Sequence, residues 1–526
     1  MTDTNIRLPE AFLARVKKQL NDEYPAFLDT YTRPSRQALR VNTLKVSVQA
    51  LQKLLPFLTE PVPGAEDGFF YPDDVRPGLS PYHEAGLYYI QEPSAMLAAK
   101  ALAARPGERV LDLCAAPGGK TTAIAADMKG EGLLIANEII PKRAAILSQN
   151  VERLGIVNAV VTNHAPAELS QRFPEFFDRI LVDAPCSGEG MFKKEPQALE
   201  MWSPENVTLC AARQDGILAE ADVMLKPGGR LVYSTCTFSP EEDEDCVSRF
   251  LAAHPDYTLL SWETLWPHRF PGEGQFIAVL EKLTPQGRFS KCHPDTSGTV
   301  LLCQTDTSGT ALSARDDAPS SKKGRTKGKS CQPSRTHALP GAELISAWKD
   351  FSAGFLQGNS TANPAPDAAP HFGPAAPADP VSSFRPGPAA PADLDPARLL
   401  PFGDHLYLLP QKLDLTGLKV LRPGLHLGSM EKGRFEPSHS LALALASSQA
   451  ANVLNLTEQQ ACDWITGLSF PCENASGWCL VCVNGYSLGF GKVSGGQCKN
   501  HYPKGLRKKT VPLDTKGPSL CAPLGL

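Results

Sequence analysis

The chain has 526 residues, too many for one hydrophobic core, and it contains no run near the roughly 18 apolar residues that a membrane-spanning helix needs. A net charge of −4 excludes a globally basic nucleic-acid binder, so any such contact must come from a local patch. Fourteen scattered cysteines fit reduced thiols better than a disulfide framework. With an opening MTDTNIRLPEAF that lacks a signal-peptide pattern, they lead to the expectation of a cytoplasmic protein.

In chain order, residues 1–83 combine a helical start (Leu8 to Leu20) with strand-like pieces such as Gln37–Asn42, which predicts a small α+β domain of ferredoxin-like or RNA-binding type. Residues 84–284 alternate apolar runs with helical stretches, the pattern of a doubly wound α/β domain. Its strand candidates are 109–114, 132–138, 159–163, 179–183, 229–236 and 275–281. Over 285–397 the periodicity collapses. DTSGT occurs at 295–299 and 306–310 and PAAPAD at 374–379 and 388–393, so a low-complexity linker is expected, carrying a basic run at 322–329. One island near 343–357 has helical apolar spacing and is expected to dock onto a neighbour. Residues 398–526 predict a small strand-rich domain, because Gly477–Val483 and Tyr486–Gly491 flank Asn484-Gly485, a hairpin turn pair.

Two motifs carry chemistry. VLDLCAAPGGKTT (110–122) is a strand, a glycine turn and a helix start, so Gly118 and Gly119 let backbone approach a ligand and the helix offers unpaired N–H groups. Glu138 ends the next strand, where a dinucleotide-type fold places a carboxylate on ribose hydroxyls. Gly119-Lys120-Thr121 imitates the tail of a P-loop, but that motif needs glycine at position 114, which is Cys; G-x-G-x-x-G is also absent. An adenosyl-type ligand over the sheet edge remains. The second motif is a pair of strand-end thiols: Cys186, three residues after Asp183 in DAPCSGEG, and Cys236, which ends RLVYSTC. The residues alone do not rank these thiols. Cys479 and Cys482 form a CxxC, yet within a strand that spacing sends them to opposite faces, and no second pair completes a zinc site. No metal is expected.

CAAPGGKTT, DAPCSGEGMF and YSTCTFSPEEDE, with YYIQEPSAM (88–96) and PHRFPGEGQF (267–276), together resemble the Nop/Sun-type RNA cytosine-5 methyltransferases over roughly residues 1–285. PFGDHLYLLP, LRPGLHLG, GRFEPSHSLALAL and KNHYPKGLR resemble the tail of the bacterial ribosomal RNA methyltransferase F group. The resemblance implies a Rossmann-like S-adenosylmethionine-dependent domain between an N-terminal α+β domain and a C-terminal PUA-like RNA-binding domain. Cys114, Ala115, Ala116, Pro117, Gly118, Gly119 and Lys120 would hold the methionine part of S-adenosylmethionine, Glu138 its ribose, and Asp183 would lie near both cofactor and base. An adenine-side acid of the family is replaced by Ala165.

Carbon 5 of cytosine is a poor nucleophile until a thiolate adds to carbon 6, and the adduct later needs its carbon-5 proton removed. The resemblance assigns attack to Cys236 and release to Cys186, with Asp183 and Lys120 beside the ring. RNA affinity is expected from the basic segment Lys492, Lys499, Lys504, Arg507, Lys508 and Lys509, with His501 and Tyr502 as a stacking group. The leading expectation is a monomeric methyltransferase of 16S ribosomal RNA. Its rivals are a tRNA cytosine-5 methyltransferase and a non-catalytic ribosome-assembly factor on the same fold. A DNA methyltransferase would leave Cys236 without a purpose.

Overall fold

The computed structural model describes residues 7–284, 341–356, 371–372, 395–473 and 475–508. The repeats, the basic run at 322–329, the end of the 343–357 island and Lys509 lie outside the described residues.

Apolar residues four apart set the first helix, Glu10–Leu20, whose Phe12, Val16 and Leu20 bury one stripe against Phe192, Trp202 and Phe238. A four-stranded sheet follows, in the order Pro61–Val62, Ala65–Tyr71, Gln37–Val41, Tyr88–Ile90, antiparallel at each pairing. In the chain, helix Val48–Leu54 follows Gln37–Val41 and helix Pro81–Glu84 follows Ala65–Tyr71, a β-α-β-β-α-β arrangement. Its last strand starts at Tyr88, so the sheet continues past the boundary expected at residue 83.

The central sheet has eight strands: β1 (Arg109–Asp112), β2 (Leu133–Asn137), β3 (Ala159–Thr162), β4 (Phe177–Asp183), β5 (Leu225–Thr235), β6 (Tyr257–Leu265), β7 (Gln275–Lys282) and β8 (Val420–Arg422). Their order is β6-β7-β5-β4-β1-β2-β3-β8, parallel from β5 to β3 and antiparallel at both flanks. Adjacent residues alternate between two cores. Leu134 and Ala136 join Ile124, Leu147 and Val151 on one face, while Leu133 and Ile135 join Leu169, Leu218 and Ala221 on the other. The strand order switches between β1 and β4 while β1 to β5 all run the same way, so the loops after β1, β2, β4 and β5 gather at one edge of the sheet.

Two strands were not legible in the sequence: β6, and β8, which comes from beyond the expected 84–284 unit and covers the β3 edge. Arg422, on β8, meets Glu152 and donates to Ser440 Oγ at 2.9 Å, which ties this strand to helix Pro141–Arg153. The C-terminal part carries a four-stranded and a six-stranded sheet. Gly477–Val483 and Tyr486–Ser494 form the hairpin, with Asn484 and Gly485 both at positive φ. Helix Gly341–Phe355 docks on this part through Leu344, Trp348 and Phe355. Tyr82, Tyr88 and Leu39 share one core with Leu454, Trp464 and Cys479, so the two ends of the chain pack together.

Candidate active site

The loop after β1 enters helix Gly119–Asp127 through Gly118, whose φ of +112° lies in the region side chains avoid; a Cβ there would stand 3.1 Å from Leu147 Cδ1. Donors from outside the loop hold its carbonyls. Arg143 donates to Ala116 O and Asn150 to Pro117 O, each at 2.8 Å, and Arg40 donates to Gly119 O at 3.1 Å and Thr122 Oγ1 at 2.8 Å. The N–H groups of the first helical turn have no acceptor within the helix. Ala115 N–H donates to Asn137 O at 2.8 Å, which fixes the loop beside the end of β2, where Glu138 follows. Glu138 is buried. Its Oε1 accepts from Ile140 N–H at 2.9 Å and its Oε2 lies 3.4 Å from Arg143.

Asp112 is fully buried; its Oδ2 accepts from Thr121 Oγ1 at 2.7 Å, its Oδ1 has no hydrogen-bond partner, and burial pushes its carboxyl up to about 7. Burial, and then Asp112, push the Cys114 thiol far above the ordinary range, so Cys114 lines the loop as an inert group. An unpartnered buried carboxylate oxygen and a second carboxylate at the next strand end offer acceptors, and the helix start offers N–H donors, a set that fits an amino-acid group joined to a nucleoside. At Ala165, the N–H donates to Glu168 Oε2 at 3.2 Å, and the same oxygen meets His164 Nδ1 at 2.9 Å. The neighbouring Asn163 donates to the Glu138 carbonyl at 2.6 Å and so is occupied by backbone.

The strand register brings the two thiols together. Asp183 on β4 lies opposite Ser234 on β5, Ala184 N–H donates to Ser234 O at 2.8 Å and Gly190 N–H donates to Cys236 O at 2.9 Å. Cys186 Sγ and Cys236 Sγ are then 3.2 Å apart, both partly exposed. The Asp183 carboxylate is held through both oxygens, with one donor on Oδ2 and two on Oδ1. Lys120 Nζ donates to Oδ2 at 2.7 Å, while Ser234 Oγ and Gln275 Nε2 donate to Oδ1 at 2.8 and 3.2 Å. Burial works against the Lys120 charge, but Asp183 and then the Cys236 sulfur favour it, so its pKa rises. The contact with Cys236, and then burial, push the Cys186 thiol well above its ordinary range. Cys186 is thus held protonated beside a cation-flanked partner.

Sequence reasoning missed Ser234, Gln275, Arg40 and Arg143. Ser234 and Gln275 stand inside the quoted YSTC and PGEGQF motifs, and the signal for them was their place at strand ends facing Asp183. Arg40 is nearly unexposed on the N-terminal sheet, and only its tertiary partners reveal it.

The C-terminal basic segment divides. Lys499 and Lys504 are exposed. Arg507 donates to Tyr502 O and Asn500 Oδ1, each at 3.3 Å, and Lys508 lies 2.8 Å from Glu84 Oε1 and donates to Gly78 O at 2.7 Å. Lys492 pairs with Glu436 and stands over the Trp478 ring. Tyr502, expected as a stacking aromatic, is instead buried with its hydroxyl donating to Glu84 Oε2 at 3.0 Å, because the N-terminal part packs over it. Among the described residues no cluster of three or more His, Cys, Asp or Glu could hold a metal ion, and no helix is long and apolar enough to cross a membrane.

This sheet order, with a glycine loop and a carboxylate after the next strand at its carboxyl edge, is that of the Rossmann-like, S-adenosylmethionine-dependent methyltransferases. Comparison with known proteins agrees. The model of the 16S rRNA methyltransferase RsmB/F family matches residues 99–284. Models of the N-terminal domain of 16S rRNA methyltransferase RsmF, of the first C-terminal domain of that enzyme and of its PUA domain match 8–93, 385–445 and 451–508. Ribosomal RNA small subunit methyltransferase F of Escherichia fergusonii is 31% identical over 547 residues, covering 96% of this chain and 98% of the relative. That of Vibrio vulnificus is 30% identical over 536 residues with the same coverage. A solved methyltransferase homolog from Pyrococcus horikoshii is 31% identical, covers 53% of this chain and 96% of its own, and superposes with a TM-score of 0.49. The chain belongs to the ribosomal RNA small subunit methyltransferase F family.

Proposed function

We propose that this chain methylates carbon 5 of cytosine in 16S ribosomal RNA, using Cys236 as nucleophile and Cys186 as the group that releases the product. The observation that carries this reading is the 3.2 Å thiol pair beside the Lys120–Asp183 ion pair. S-adenosylmethionine, held by Cys114–Lys120 and Glu138, supplies an electrophilic methyl group. The remaining work belongs to side chains. The Cys236 thiolate bonds to carbon 6 of the base and pushes an electron pair onto carbon 5, which becomes able to take a methyl group. Asp183, fixed by Lys120, Ser234 and Gln275, accepts from the amino edge of the ring and stabilises the adduct. Once Cys236 is bonded to carbon 6, its sulfur no longer holds the Cys186 proton in place, and Cys186 loses that proton to solvent on its exposed side. As thiolate, Cys186 takes the carbon-5 proton. The electron pair of that C–H bond re-forms the ring double bond, the sulfur–carbon-6 bond breaks, and Cys236 leaves as thiolate. A base stacked in a duplex hides carbon 6, so the substrate is a flipped or unpaired nucleotide. The exposed Lys499 and Lys504 supply phosphate contacts on the C-terminal part.

Bisulfite mapping of total RNA from cells with and without the gene tests the substrate. Loss of a cytosine signal in 16S RNA is expected, and loss confined to tRNA would overturn the assignment. The roles of the thiols are tested with purified variants. Cys236→Ala should form no covalent enzyme–RNA species and no product, whereas Cys186→Ala should accumulate a cofactor-dependent adduct that runs slowly on a denaturing gel. An adduct in Cys236→Ala but not in Cys186→Ala reverses the assignment.

A further inference from the structure

Two carboxylates that the chemistry above leaves unused are fully buried beside the thiols. Glu189 lies three residues after Cys186, on its loop, and Glu242 lies six residues after Cys236, on the other. Neither reaches back to the thiol of its own loop. Glu242 Oε2 accepts from the backbone N–H of Ser187, next to Cys186, at 3.0 Å, and from Gln214 Nε2 at 2.9 Å. The same Gln214 amide donates to Pro185 O at 3.1 Å, so both peptide units flanking Cys186 are gripped by one Glu242–Gln214 clamp. Glu242 is itself anchored, because Tyr233 Oη donates to its carbonyl at 2.6 Å.

The converse holds for Glu189. Its Oε2 accepts from the backbone N–H of Phe238, two residues after Cys236, at 3.1 Å, and its Oε1 accepts from Trp202 Nε1 at 2.8 Å. Arg15, from the first helix, closes on the same carboxylate. Gly190 N–H holds the Cys236 carbonyl, and a Cβ at Gly190 would stand 3.1 Å from that oxygen, so the close approach needs a glycine. A direct bond between Ser187 Oγ and Thr237 Oγ1 at 2.8 Å joins the neighbours of the two thiols.

We infer that Glu242 and Glu189 are crosswise positioning residues: Glu242, carried on the Cys236 loop, sets Cys186, and Glu189, carried on the Cys186 loop, sets Cys236. Neither thiol can then shift without disturbing the loop that carries its partner, which keeps both aimed at adjacent ring carbons. A reacting group misplaced by about 1 Å loses about 100-fold in rate. Removing Glu242 therefore impairs the release step, and removing Glu189 impairs the attack step.

This rests on the two-thiol reading above, and the experiment separates the two ideas by running the cysteine variants alongside. With S-adenosylmethionine and substrate RNA, Glu242→Ala should accumulate the covalent adduct of Cys186→Ala while steady turnover falls about 10- to 100-fold. Glu242→Gln keeps an oxygen that accepts from Ser187 N–H and should restore turnover. Glu189→Ala should lose adduct and turnover together, like Cys236→Ala. If Cys186→Ala accumulates no adduct, the two-thiol reading falls. If it does and a folded Glu242→Ala shows the wild-type adduct level, or none, crosswise positioning falls alone. Should Glu242→Ala fail to fold, as judged by thermal melting, Gln214→Ala removes the other half of the clamp; it should accumulate a smaller amount of adduct, and a wild-type level overturns the inference.

Discussion

The central sheet and the C-terminal part both bring cysteines close together, and they put them to opposite use. Cys186 and Cys236 follow the ends of two parallel strands, both partly open to solvent, and Cys236 lies within the electrostatic reach of Lys120. Cys479, Cys482 and Cys498 sit inside strands and are fully buried. The contact with Cys498, and then burial, push the Cys479 thiol far up, and Cys482, whose thiol burial alone raises, faces the opposite core. A sequence scan for CxxC would choose the second group. The comparison teaches that a thiol becomes chemically useful where a strand ends and a cation waits, because there the thiolate keeps solvent and a counter-charge; spacing in the chain decides nothing.

The sharpest way to break this comparison is to remove one thiol from each region. Cys236→Ala should lower turnover by roughly a thousandfold or more. Cys482→Ala should leave kcat unchanged and cost about 1 kcal/mol of stability, read from a denaturant midpoint; a catalytic loss in Cys482→Ala would end the distinction. Next come the lysines. Lys120→Met leaves Asp183 without its cation and should reduce kcat about 100-fold in a methyl-transfer assay. Lys508→Met should leave kcat intact but destabilise by about 1–2 kcal/mol, since Glu84, largely buried, loses an ion partner.

Lys499 and Lys504, both exposed, offer a finer contrast with Lys508. Neutralising either should lower the salt slope of RNA binding by roughly 0.7 for each single-strand phosphate that the protein no longer pairs, and Lys508→Met should not change it. The last contrast is in pH and leaves turnover aside. Asp112 has a folded pKa of about 7 against 3.8, so the native state holds a proton that the unfolded chain has lost, and stability falls as pH rises from about 4 to 7. His439, in the C-terminal part, is pushed by burial down to about 4 from 6.5, so its contribution is full above 6.5 and is lost as pH falls towards 4. Asp112→Asn should thus gain about 1–3 kcal/mol over wild type at pH 8 and little at pH 4. His439→Phe should blunt acid unfolding, and equal pH slopes in variants and wild type would remove both groups from the account.

Much of the site was legible because strand-end chemistry is local. Asp183, Cys186 and Cys236 follow continuous apolar runs, and Gly118 announces its turn. What stayed hidden depends on distant chain. Strand β6 mixes buried Tyr257 and Leu265 with exposed Leu260 and Trp262, since an edge strand need satisfy only part of one face. Strand β8 is three residues long and has no periodicity to detect. Tyr502 reads as a surface aromatic among lysines until Glu84, far back in the chain, is seen to cover its hydroxyl. Glu189 and Glu242 are acidic residues in polar loops, the ordinary signature of solvent, and only the fold shows that each is fully buried.

The late arrival of β8 has a consequence for synthesis. Val420 pairs with Thr162, roughly 250 positions earlier, and Lys419 N–H caps the same edge through His164 Nε2 at 2.7 Å. At about 5–20 residues per second, a nascent chain spends roughly 10–50 s with β3 made and its covering strand not yet translated. Through that interval β3 presents an unpaired row of N–H and C=O groups, a template for pairing with a neighbouring chain. Chains released before residue 420 keep that edge open permanently, so premature termination in the C-terminal part yields a sticky catalytic sheet rather than a smaller enzyme.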